Sequence, residues 1–381
     1  MNQSIVQPQK TSETYPYEAV HIFYVSVFLT MFGLLIIYAS SSIPAAQKFH
    51  DPYIFLKKQA LMLGAGLAAI LVIQKLPIRL FEKLTLPILG LSFFCLICVM
   101  IPGLGVKVNG ATRWVSFAGF GFQPSEMAKI AIIFFLAKNL SRVHFKSTDF
   151  WRGIMPNLFV LAMLCGLVML QPDLGTSALL CLVTIAMLFV AGMPFKYFGM
   201  LAGLGSAALA AAIAVEPYRL KRLISFLDPW ANSREGGFQI IQSYLAFHNG
   251  GLWGVGLGES KQKLFFLPEA HTDFILPVIG EELGLLGVLF ICSMFAYLIF
   301  ICFRVSMKQQ RDYDKLLAVG LTCLITFQAL INIGVTMGVL PTKGIPLPFL
   351  SSGRSSLIIF LIAIGILIKL ARPREIKLVH E

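Results

Sequence analysis

Charge is scarce in this chain. Asp, Glu, Lys and Arg make up 13% of its 381 residues while 57% are hydrophobic, against roughly 25% charged in an ordinary soluble domain. The deficit excludes a water-soluble fold and matches a protein in a bilayer, where the lipid-facing surface must be apolar as well as the core. Acids are the scarcer sign, 19 against 31 bases, for a net charge of +12. The cations are split between loops on both sides of the apolar runs, which excludes nucleic acid as a partner and suits contact with anionic membrane lipid. The six histidines form no H-E-x-x-H and no pair, so a preformed zinc site is not expected. Nor does a Ser-His-Asp order occur. Low-complexity tracts and internal repeats are also missing, which excludes a solenoid and argues against a transporter built from repeated halves. All seven cysteines lie inside apolar runs. Cys95 and Cys98 form a C-x-x-C within one such run, with no His or second pair nearby, and read as packing.

What the chain has in abundance is apolar runs of about 20 residues, the length that crosses a bilayer as a helix. Ten are read: 19–43, 54–74, 84–102, 125–141, 153–170, 173–191, 196–215, 275–303, 316–338 and 355–371. The fold class is an all-α integral membrane protein of ten transmembrane helices. The first run is much longer than the 7–15 residues of a signal peptide's apolar region and is expected to be retained. The long run at 275–303 is expected to tilt or to leave the lipid in part. Short-loop cations place both tails, 1–18 and 373–381, in the cytoplasm. The outward loops are then 103–124, 339–354 and the long segment 216–274, and loops of such length are usually functional. Outward cations such as Lys107, Arg113, Arg219, Arg222, Lys343 and Arg354 suit a face that handles an anion. Within the long segment, 238–247 reads as a helix lying in the interface, with Gln239, Gln242, Ser243 and Ala246 on one narrow face. GGLWGVGLG follows. It succeeds no strand and lacks the Lys-Ser/Thr of a P-loop, so it reads as backbone hugging a ligand or the membrane surface.

Four clusters carry polar chemistry at the edges of apolar runs. Pro124-Ser125-Glu126 opens the fourth run, where an acid suits the helix dipole, and Lys129 three residues on can pair with Glu126. Structural pairing and function both fit. Asp173, in Gln171-Pro172-Asp173, suits the first turn of the sixth run. PEAHTDFI at 268–275 gathers Glu269, His271, Thr272 and Asp273. If the helix starts early, Asp273 and Glu281 share a face; Thr272 and Asp273 could also be plain N-caps. PTKGIPLPFLSSGRSS at 341–356, with Lys343, Ser351 and Ser352, has the composition of a re-entrant loop lining a cavity, and its Lys and hydroxyls could hold a phosphate or sugar.

ATRW at 111–114, QPSEMAK at 123–129, QPDLGT at 171–176, FLDPW at 226–230, QSYLAF at 242–247, LPEAHTDFI at 267–275 and GVLPTKGIPLPFLSSGRSS at 338–356 resemble the SEDS family (shape, elongation, division, sporulation), and its division branch more than its elongation branch. The resemblance implies a peptidoglycan glycosyltransferase that polymerises lipid II outside the cytoplasmic membrane. It implies a class B penicillin-binding transpeptidase as partner, and with the division branch come other divisome proteins and a septal location. The family's essential loop acid falls on Asp273, its Arg-Trp motif on Arg113 and Trp114, and its basic loop residue on Lys343. Where the family usually shows Tyr-Gly-Gly, this chain has Ser352-Gly353-Arg354. Gln242, Ser243, Glu269, His271, Thr272, Ser351 and Ser352 are then expected to line the substrate site, with Glu126, Lys129, Asp173 and Glu281 in support. A carboxylate would take a proton from a sugar hydroxyl, and Arg, Lys or a divalent cation such as Mg or Mn could meet the leaving pyrophosphate. A flippase or transporter for the same lipid is the rival reading.

Overall fold

The computed structural model describes residues 16–108, 111–117, 120–142, 149–215, 217–233, 237–263, 267, 268 and 270–372. One helix answers to each expected span: α1 Tyr17–Phe49, α2 Ile54–Lys75, α3 Ile78–Cys98, α4 Pro124–Leu140, α5 Met155–Leu170 behind a π-helical turn Phe150–Ile154, α6 Leu174–Val190, α7 Phe195–Val215, α10 Ile275–Met307, α11 Asp312–Thr336 and α12 Arg354–Ala371. Two further helices, α8 Pro217–Leu227 and α9 Phe238–Gly250, occupy the long segment. Seven helices among the described residues are long and apolar enough to cross a membrane, and α6 is a shorter apolar one.

Burial sorts the helices. In α11 and α12, 72% of the most apolar window is buried, against 28% in α2 and α3, so α11 and α12 form the centre with α4, whose Ala128 to Leu136 is almost wholly enclosed. The peripheral helices turn Leu71, Phe94, Phe159 and Phe300 outward, the surface that a bilayer covers with acyl chains.

The segment 103–124 is more regular than a loop. Three antiparallel strands, β1 Gly105–Val108, β2 Ala111–Phe117 and β3 Phe120–Phe122, pair in the order β1-β2-β3, with Gly105 opposite Val115 and Val115 opposite Phe122. The alternation of apolar and polar residues along this stretch is a strand signal. So short a sheet is stable here because it sits on the bundle, with β2 against α4 and β3 against α12.

α10 is broken within its length. Gly284 has φ +66, a conformation glycine adopts freely and other residues resist. The break frees backbone groups that need partners, and the glycine-rich segment supplies them. The N–H groups of Val255 and Gly256 donate to the carbonyls of Glu281 and Glu282 at 2.9 and 3.0 Å, and the Leu285 N–H donates to the Gly251 carbonyl at 2.9 Å. The GGLWGVGLG segment is thus spliced into a membrane helix by backbone hydrogen bonds. Side chains lock the joint: Glu281 accepts from Ser260, from the Gln262 N–H and from Asn249, while buried Lys263 pairs with buried Glu282 at 3.0 Å.

α9 packs into the protein instead of lying in the interface. Ser243 and Ala246 are fully buried, and the Ser243 hydroxyl donates to the Thr336 carbonyl at 2.5 Å. A side chain on Gly250 would collide with the Gly280 carbonyl, so the two helices touch backbone to backbone. The amphipathic surface falls instead on α8, which exposes Leu220, Ile224 and Leu227 and turns Ser225 inward.

Candidate functional site

The strands, α8, α9, the start of α10 and the 339–353 loop gather at one end of the bundle. That loop plunges into the bundle: Leu347, Phe349 and Leu350 are buried, Leu350 lies against Gly33 in the middle of α1, and the Phe349 ring meets Phe360 of α12 at 5.6 Å. Such backbone is tolerated at membrane depth only when protein encloses it. The enclosure is built from side chains: the Gln59 amide donates to the Ser351 carbonyl, the Ser351 hydroxyl accepts from the Leu347 N–H, and the Gln328 amide donates to the Pro346 carbonyl.

Asp273 meets this loop at its open side. Its Oδ2 would lie 3.1 Å from a Cβ placed on Gly344, so the carboxylate sits on the exposed glycine next to Lys343. α10 begins at Ile275 and its N-cap position is Phe274, so Asp273 stands one residue before the cap position. The expected column of carboxylates does not form for the same reason. Asp273 precedes the helix and faces the 341–345 loop, whereas Glu281 faces Ser260 and Asn249. Glu269 lies outside the described residues.

Lys343 is half-buried. Burial lowers its pKa below the usual lysine value, the Arg222 and Arg219 guanidinium groups lower it further, and Asp173 opposes them. Arg222 is fixed by donating to the Thr342 carbonyl at 3.0 Å. Asp173 caps α6 through the Thr176 N–H and hydroxyl at 3.1 and 2.8 Å. Arg113 holds the preceding turn, donating to the carbonyls of Gln171 and Pro172. Lys343, Arg222 and Arg219 thus lie near enough to one another, with Asp173 among them, to act on the Lys343 charge, an arrangement that suits an anionic ligand with more than one negative charge.

Other expected site residues take distinct places. The His271 carbonyl accepts from the Ser352 N–H at 2.9 Å and its ring meets Phe55 at 4.6 Å, so Ser352 fastens the Asp273 segment to the loop through backbone. Thr272 is half-buried beside it. Trp114 lies under the Arg354 guanidinium, 5.9 Å from ring centre, so this arginine stacks on the sheet. Gln242 is half-buried on α9, and Ser243 is spent on α11. Glu126 and Lys129 form a buried pair at 2.7 Å, with the Lys129 ammonium also donating to the Gln328 side-chain Oε1 at 2.8 Å. No three His, Cys, Asp or Glu side chains among the described residues come together as a metal's donor set. Asp273 and Asp173 are single carboxylates, so the residues do not by themselves make a cage for Mg or Mn.

Sequence reasoning passed over Arg222, named only among outward cations, and Asn332. Asn332 had a visible signal. Gln328, Asn332 and Thr336 recur every four residues in an apolar run, which puts three polar groups on one helix face.

A polytopic helical membrane protein with a carboxylate and clustered cations at one end of its bundle is the class this fold and site define. The chain belongs to the FtsW, RodA and SpoVE family of cell cycle proteins, whose model matches residues 19–376. It is 44% identical over 350 residues to a probable peptidoglycan glycosyltransferase FtsW of Geobacter metallireducens, covering 92% of this chain and 93% of the relative. It is 39% identical over 348 residues to stage V sporulation protein E of Bacillus subtilis, covering 91% and 95%. Among solved structures it is similar to a chain of a peptidoglycan synthase complex that coordinates polymerization and crosslinking (TM-score 0.76, 27% identity, 92% and 96% covered). It is also similar to the Thermus thermophilus rod shape determining protein RodA (TM-score 0.68, 25% identity, 92% and 95% covered).

Proposed function

We infer that this chain is a peptidoglycan glycosyltransferase that polymerises lipid II into glycan strands, working at the outer face of the cytoplasmic membrane with its tails inside. The observation that carries this reading is the Asp273 carboxylate seated on Gly344 beside Lys343. In the transfer, an acceptor sugar hydroxyl forms the new glycosidic bond to the donor's anomeric carbon and gives its proton to Asp273. The bond from that carbon to the lipid pyrophosphate breaks, and the departing oxygen's charge meets Lys343, Arg222 and Arg219. The division branch is favoured because close relatives such as the Geobacter protein carry the FtsW name at 44% identity. A septal site and a penicillin-binding transpeptidase partner follow from that branch, and the similar chain from a polymerising and crosslinking complex supports the partner. The test is lipid II in detergent with the purified chain, alone and with its transpeptidase, products resolved by size. Detergent has no two leaflets, so polymer excludes a pure flippase, and its absence in both arms overturns the glycosyltransferase reading.

Two further results are expected. Lys343→Ala removes a charge-assisted contact worth about 1.5–3 kcal/mol and should lower turnover roughly tenfold or more. Because the Lys343 pKa is depressed, its charge is lost as pH rises at a lower value than the ~10.4 of an ordinary lysine. The alkaline limb of the rate profile should therefore begin early, and Lys343→Arg should move it outward. An unchanged rate in Lys343→Ala removes this residue from the site. For topology, a cysteine at exposed Ser233, in a cysteine-free background, should label from outside the cell. Labelling only from the cytoplasm would sink the orientation and the outer-face reading together.

A further inference from the structure

Asn332 lies on α11 at the junction of the two segments that carry the chemistry. It is almost fully buried, and its Nδ2 donates two hydrogen bonds, to the Asp273 carbonyl at 2.8 Å and to the Ile345 carbonyl at 2.8 Å. The first carbonyl belongs to the residue whose carboxylate sits on Gly344; the second is two residues past Lys343. Both neighbours are acceptors only, so the amide orientation is forced: its two N–H groups point at them and its oxygen points away. No third hydrogen could be shared and no hydroxyl could satisfy both.

The same face of α11 repeats the device a turn to either side. Gln328 donates to the Pro346 carbonyl and accepts from Lys129. The Thr336 carbonyl accepts from Ser243 of α9. α11 is therefore a central, largely buried helix from which successive polar groups tether loop, catalytic segment and long-segment helix. A rigid element is the right place for such a tether, because a catalytic constellation must be held within about 0.5 Å of its working geometry by groups that are themselves locked.

We propose that Asn332 is a positioning residue for glycosyl transfer: by bonding the Asp273 and Ile345 carbonyls at once, it fixes the distance between the Asp273 carboxylate and the cation of Lys343. It touches neither donor nor acceptor sugar and acts through the two segments it joins. This inference rests on the reading of Asp273 as the base. A displacement of about 1 Å at a catalytic group can cost on the order of a hundredfold in rate, so the loss of this tether should appear in kcat.

The experiment is a double-mutant cycle on the full chain with its transpeptidase, following polymerisation of lipid II. Asn332→Leu keeps the volume and removes both donors. It is expected to lower kcat by roughly ten- to a hundredfold with KM within a few-fold. In the Asp273→Asn background, where the group being positioned is already gone, Asn332→Leu should cost less than about threefold further. If Asn332→Leu lowers the rate by the same factor in both backgrounds, its role is structural and the proposal is overturned. A wild-type rate in Asn332→Leu, with Asp273→Asn inactive, overturns the proposal and leaves the base reading intact. A wild-type rate in Asp273→Asn overturns the base reading itself. Should Asn332→Leu fail to fold, Asn332→Ser, which retains one donor in a smaller side chain, carries the same cycle and the same criteria.

Discussion

Asp273→Asn is expected to insert, fold and bind its partner like the parent chain, yet to polymerise lipid II two to four orders of magnitude more slowly, the range that general-base catalysis contributes. The substitution keeps the shape of the side chain seated on Gly344 and removes only its capacity to take a proton. An asparagine keeps the acceptor oxygen that a side chain offers ahead of a helix start, and the Asn332 tether reaches the backbone carbonyl, which every residue has. The usefulness of the Asp273 carboxylate lies in being placed within hydrogen-bond reach of the acceptor hydroxyl. Rates measured with the purified chain and its transpeptidase check this, with thermal unfolding as control for the fold. A wild-type rate would move the base elsewhere.

The second large effect concerns stability. Lys129→Met should destabilise the chain by about 3–5 kcal/mol, the usual result of removing one partner from a buried ion pair. Lys129 is 2% exposed and Glu126 3%, and they meet at 2.7 Å inside the bundle. The ammonium also satisfies Gln328 and lies 5.5 Å from the centre of the Phe360 ring. Without it, Glu126 is an uncompensated carboxylate in an apolar surrounding and Gln328 loses a donor, which loosens the α11 face behind the 346–351 turn. The double substitution Glu126→Gln with Lys129→Met should recover most of the loss, since a neutral pair of similar volume has no charge left to desolvate. Thermal unfolding of the detergent-purified variants decides the matter: if the single and double changes are equally destabilising, the ion pair is not what holds this part of the bundle.

The spans were legible because bilayer physics acts on each run by itself. Some twenty apolar residues between polar loops form a helix whatever their neighbours are, so α1 through α7 and α10 through α12 fall where hydropathy puts them. Local rules also placed several features correctly: Pro124 and Glu126 in the first turn of α4 and the Glu126–Lys129 pair at a spacing of three; Asp173, read as a first-turn acid, stands one residue earlier as the cap of α6. The strands were hidden inside a stretch read as a loop, since strands of three to seven residues give a weak alternation until the bundle supports them.

The amino-acid sequence by itself determined that this is a membrane protein of many helices, and which short motifs stand at their ends. Only the tertiary structure decided which of those motifs work together. The carboxylates at 273 and 281 looked like one column along one helix; α10 starts only at Ile275, after Asp273, and the two have separate tasks, one against the 341–345 loop and one locking the glycine-rich segment. α9 looked interfacial and is packed, whereas α8 carries the exposed apolar face. Asn332, passed over in an apolar span, joins two segments far apart in the chain. The physical reason is common to all three. Hydropathy and capping depend on residues within a few turns, but a buried polar group is placed by whichever acceptor or donor reaches it in space, and that partner lies on another element.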